Sequence, residues 1–89
     1  MEIILFKQNN CNPCDTLSNI LKYDLEVEAD RTINMSTPQD DDIETAMKYE
    51  VMSTPVLVLV DDDGEVIREI RGLAMREDIK SLFEQRGLI

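Results

Sequence analysis

EIILFKQNNCNPCDTLSNIL, residues 2–21, holds the chain's only two cysteines, Cys11 and Cys14, with Pro13 between them. The stretch opens on an apolar run, Ile3 to Phe6, closed by Lys7 and a polar loop. Such a run reads as a short buried strand. Leu17, Ile20 and Leu21 then recur at helical spacing, and proline favours the first turn of a helix. The helix therefore starts inside the cysteine motif, with Cys11 at its N-terminus and Cys14 one turn further in.

Three readings of that pair are open: half a metal site, a structural clip, or a couple that cycles between dithiol and disulfide. A structural zinc normally takes four ligands, and the chain has two cysteines and no histidine. A disulfide across so short a loop adds little by restricting the unfolded chain. A sulfur at a helix N-terminus meets converging N–H groups and the positive end of the helix dipole, which stabilise a thiolate. The balance favours the redox reading, as expected of C-x-x-C beside a strand–helix–strand pattern.

Outward from the motif, VEADRTINM (27–35) places Val27, Ala29, Arg31 and Ile33 on one face of a second strand, with Arg31 the odd member. STPQDDDIETAMKYEV (36–51) carries a helix-start pattern, Thr37 as cap, Pro38 in the first turn and acids at 40–42, then an apolar stripe of Ile43, Ala46, Met47 and Val51. PVLVLV (55–60) suits a central strand buried on both faces. DDDG (61–64) is a turn, and Val66, Ile67 and Ile70 suggest the antiparallel return strand. A last helix shows Ile79, Leu82 and Phe83 on one face and Gly87 as its C-cap. The order β-α-β-α-β-β-α implies one α/β domain over 1–89, a four-stranded mixed sheet with helices on both faces.

Composition narrows the partners. The 89 residues are 43% hydrophobic, 31% charged and 4% aromatic, so aliphatic side chains and methionine must fill the core. Nineteen acidic against nine basic residues give a net charge of −10. Neither nucleic acid nor an anionic membrane surface is an expected partner for such a chain. The opening MEIILF reads as a strand rather than a leader, and no apolar run is long enough to span a bilayer. A cytoplasmic location is expected, where a disulfide is more often catalytic than structural. The DDD runs at 40–42 and 61–63 lack the alternating ligand spacing of a calcium loop.

Two segments together resemble the thioredoxin/glutaredoxin superfamily, over essentially the whole chain. One is CNPC (11–14), with proline before the second cysteine as in thioredoxins. The other is KYEVMSTPVLVLVDDDGEVIREIRG (48–72), similar to the thioredoxin segment that holds a cis-proline, the central hairpin and a following glycine. The resemblance implies a thioredoxin fold and a cis Thr54–Pro55 bond facing the cysteines. It also implies protein-disulfide reduction without a bound cofactor. Cys11 is then the attacking thiolate and Cys14 the resolving thiol. Met52, Thr54 and Pro55 form the substrate-binding wall, and the Thr54 backbone pairs with an extended substrate.

In supporting places, Lys7 is either a thiolate-stabilising cation or a surface lysine. Asp15 is either a favourable helix N-terminal charge or a group that raises the thiol pKa. Met52 either lines a groove or fills the core, and Pro55 is otherwise an ordinary trans proline starting a strand.

The chain departs from thioredoxins in starting at the first sheet strand, in having Asn10 where they carry tryptophan, and in lacking a carboxylate on IILF. The short N-terminus resembles the small redoxins that donate electrons to ribonucleotide reductase. RGLAMRED (71–78) lacks the second glycine and adjacent acid of a glutathione site, so the expected electron donor is thioredoxin reductase rather than glutathione. The expected state is a monomer acting on disulfide-containing proteins. A redox-inactive binding module on the same groove is the alternative from another class.

Overall fold

The computed structural model describes residues 1–89. In chain order its elements are β1 (Glu2–Lys7), α1 (Asn12–Asn19), β2 (Arg31–Asn34), α2 (Asp40–Lys48), β3 (Val56–Val60), β4 (Val66–Arg71) and α3 (Arg76–Arg86). A π-helical turn, Ile20–Asp24, prolongs α1. The sheet order is β2-β1-β3-β4. β1 pairs parallel with β2 and antiparallel with β3, and β3 pairs antiparallel with β4. This is the mixed α/β sheet that the sequence implies.

Successive strand residues point to opposite faces, and both faces of β1 and β3 are apolar, so the sheet carries two cores. Ile3, Leu5, Leu57 and Leu59 pack against Leu17 of α1 and against Ile79, Leu82 and Phe83 of α3. Ile4, Phe6, Val56 and Val58 pack on the other face against Ala46 of α2 and Tyr49. β3 is buried from end to end because it has a strand on each side and a core on each face.

Three local expectations are corrected. β2 spans only Arg31–Asn34. Val27 and Ala29 pack in the α1/α3 core, whereas Ile33 packs in the α2 core, so the four residues do not share one face. Arg31 is the odd member because it reaches α2, bonding Asp42 at 2.9 Å and the Thr45 hydroxyl at 3.3 Å. The cap of α2 is Gln39 rather than Thr37. The Gln39 N–H donates to the Asp42 carboxylate at 2.9 Å and the Gln39 carbonyl accepts the Asp42 N–H at 3.0 Å, and Pro38 precedes the helix. Of the apolar stripe, Ala46 is buried and Val51 half-buried, but Ile43 and Met47 face solvent. Gly87 ends α3 with a φ of 89°, as its C-cap role requires.

Candidate active site

Cys11 and Cys14 are joined in a disulfide, their Cα atoms 5.2 Å apart. Cys11 is the N-cap of α1, in extended conformation, and Pro13 lies in the first turn. The local sequence dictates this start: Pro13 needs no intrahelical N–H partner there. The Cys14 N–H donates to Cys11 Sγ at 3.2 Å, filling the place a serine or aspartate oxygen takes in an ordinary cap. Both cysteines are buried, Cys11 at 6% and Cys14 at 2% exposure, so Cys11 is the more accessible sulfur.

The opposite wall is the segment before β3. The Thr54–Pro55 bond is cis, as the resemblance implies. Cys11 Sγ lies 4.0 Å from the Thr54 carbonyl oxygen, and the Thr54 hydroxyl donates to it at 3.7 Å. The Thr54 N–H has no partner within the chain. Pro55 is fully buried, and its carbonyl accepts from Gly72 N–H at 2.8 Å, fixing the β4–α3 loop beside the site. Gly72 has a φ of 84°, a left-handed conformation that glycine takes without strain.

The remaining expected residues spread out. Met52 is 91% exposed, so it is not core filler. Asp15 sits exposed in the first turn of α1. Lys7 ends β1 and lines the shallow groove between α1 and the β2 edge with Leu5, Ser18 and Lys22, and it donates to neither sulfur.

Sequence reasoning missed a set of side chains that ties down the loop before Cys11. The Asn34 amide donates to Asn9 Oδ1 at 3.0 Å and accepts the Ser36 N–H at 2.9 Å, while the Asn9 N–H donates to the Ser36 hydroxyl at 2.9 Å. Between this tie and Cys11 stands Asn10, with a φ of 54°. The one available signal was topological. Parallel strands bring their following loops together at one sheet edge, and Asn34 and Ser36 follow the second strand.

A sulfur held at a helix start, bonded to a second sulfur one turn inside, has an obvious chemistry at neutral pH: the pair opens and closes by exchange with other thiols and disulfides. By class, then, the molecule is a thiol–disulfide oxidoreductase. The model of the thioredoxin-like domain family matches residues 2–87, and the chain belongs to that family.

It is 32% identical over 87 residues to the SPbeta prophage-derived thioredoxin-like protein YosR of Bacillus subtilis, covering 97% of this chain and 100% of that one. It is also 35% identical over 75 residues to the thioredoxin of Bacillus subtilis, covering 84% of this chain and 71% of that one. Among solved structures, a thioredoxin-fold protein from Helicobacter pylori superposes with a TM-score of 0.77 at 22% identity, covering 96% of this chain and 67% of that one. That likeness concerns the fold.

Proposed function

We propose that this protein reduces protein disulfides, with Cys11 as the attacking sulfur and Cys14 as the resolving one. The observation that carries the reading is the Cys11–Cys14 disulfide seated at the start of α1, its outer sulfur facing Thr54. In the dithiol form, the Cys11 thiolate attacks a substrate disulfide. A Cys11–substrate bond forms, and one substrate sulfur leaves as thiolate. Cys14, deprotonated, then attacks Cys11 Sγ, releasing the second substrate thiolate and leaving the Cys11–Cys14 disulfide. The α1 N-terminus favours the thiolate on Cys11 in both directions. Thr54, with its free N–H, offers an extended substrate backbone a pairing point.

Two electrons must return to the disulfide, and thioredoxin reductase with NADPH is the proposed source rather than glutathione. RGLAMRED supplies no glycine–acid pair for glutathione, and a net charge of −10 disfavours an anionic tripeptide. Ribonucleotide reductase is a proposed acceptor, by the resemblance to the small redoxins that serve it. The proposed setting is the cytoplasm.

The test is insulin reduction with dithiothreitol as electron source, followed by NADPH oxidation with each reductase system. Turnover in the first assay, and with thioredoxin reductase in the second, is expected. No turnover with dithiothreitol would leave a binding module on this fold, and turnover with glutathione and glutathione reductase alone would reverse the donor.

A further inference from the structure

Three large apolar side chains lie outside both cores and cluster beside the redox site. Ile43 is 50% exposed, Met47 73% and Met52 91%. They wall a groove of about 750 Å³ whose floor is Met35, Ala46 and Val51. A small protein rarely leaves such a cluster open without using it, and methionine's flexible thioether moulds to varied partners. The Met52 end of the groove leads toward the redox site. Met52 begins the segment that ends at Thr54 and Pro55, and Thr54 touches Cys11 Sγ.

Its rim is acidic. Asp40 and Glu44 lie one helical turn before Ile43 and Met47, on the same side of α2. Glu50 lines the groove itself. None of the three is ion-paired. The one cation in the lining, Arg71, is already held by Glu69 and by the carbonyls of Tyr49 and Glu50. Lys48 is turned away, its ammonium against the Tyr49 ring and the Gly64 turn.

We propose that this groove docks the segment flanking the target disulfide of a substrate protein, taking an apolar side chain next to a lysine or arginine. The proposal rests on the disulfide-exchange reading and adds to it a substrate preference. Apolar contact with the methionines supplies affinity, and the free carboxylates select the basic neighbour. A second copy of this chain is a poor occupant, because two-fold pairing would set Asp40, Glu44 and Glu50 against the same groups.

The experiment compares two oxidised peptides, with Leu-Lys or Leu-Glu beside the cysteine, and a small aromatic disulfide as reference. The Leu-Lys peptide is expected to be reduced about tenfold more efficiently than the Leu-Glu peptide. Met47→Glu should lower the ratio of Leu-Lys to reference turnover about tenfold, and Glu50→Lys should erase the preference. Met47 and Glu50 are exposed, so neither change disturbs a core.

Equal turnover of both peptides, with a ratio indifferent to Met47→Glu, would overturn the proposal. So would a dimer in sedimentation that Met47→Glu dissociates. Binding of serine-substituted peptides, read by fluorescence anisotropy, needs no chemistry. Preferential binding of the Leu-Lys form without turnover would sink the exchange reading and leave the docking site standing, and no preference there would sink the docking site alone.

Discussion

Cys11 Sγ is met by one group close in sequence and one far from it, the Cys14 amide at 3.2 Å and the Thr54 hydroxyl at 3.7 Å. Cys14 is the less accessible sulfur and lies inside the helix. Cys14→Ser should therefore accumulate a mixed disulfide on Cys11, and Cys11→Ser should abolish reduction, with mass spectrometry of trapped adducts as the check. Adducts found on Cys14 would reverse the roles. Asn34 acts one step back, holding the loop that presents Cys11. Asn34→Ala should slow alkylation of Cys11 by iodoacetamide about fivefold, the worth of one modest hydrogen bond. Because Asn9 and Asn34 act as one tie, Asn9→Ala should add nothing to that loss. The cysteine pair was legible because its chemistry is local, a spacing plus a proline. The Asn9–Asn34–Ser36 tie was not, because it joins two loops that only the parallel pairing of β1 and β2 brings together. Met52's exposure was likewise beyond the sequence, since an apolar residue before a strand suits a core or a groove equally.

Helix α2 shows where local patterns mislead. Thr37 has the right type for a cap, but its N–H is used in a turn to the Asn34 carbonyl. Asp42 then fixes the start two residues later by accepting the Gln39 N–H and pairing with Arg31. The element itself was readable, and its first residue was decided by β2, which no local pattern contains. Its far end is strained. Glu50 follows α2 with a φ of 53°, a conformation disfavoured for any residue with a Cβ. Glu50→Gly should raise stability by up to about 1 kcal/mol, measured by urea unfolding. A loss would show that the freedom gained by the unfolded chain outweighs the strain relieved. The strand pattern was the most legible part of the fold, because PVLVLV admits few places other than the middle of a sheet.

Across the whole molecule, nineteen acids face nine bases, yet the bases are placed to fasten elements together. Arg86 joins α3 to Asp30 before β2, Arg76 joins α3 to Asp24, and Arg31 joins β2 to α2. Burial works against the Asp30 charge, but Arg86 and the Ile3 amide outweigh it and hold the carboxyl below its usual range. The Gln39 amide and Arg31 lower Asp42, and Arg76 lowers Asp24. A carboxyl depressed on folding stabilises above its unfolded pKa, and that contribution is lost as pH falls through the folded value. The thermal midpoint should therefore drop below about pH 4, and Asp30→Asn should be less stable at neutral pH with a shallower acid limb. Added salt at pH 7 tests the other side: relief of self-repulsion should raise the midpoint, and a fall would show the ion pairs dominate. The sheet order has a consequence for biosynthesis. β1, made first, has β3 as its inner neighbour, and Thr54 and Pro55 lie just ahead of that strand. On the ribosome, the dithiol emerges well before the strand that pairs with the inner side of β1 and before the wall that faces Cys11. A nascent chain halted before Val56 carries both thiols as an unguarded pair, open to chance partners, and the enzyme comes into being only as the second half arrives.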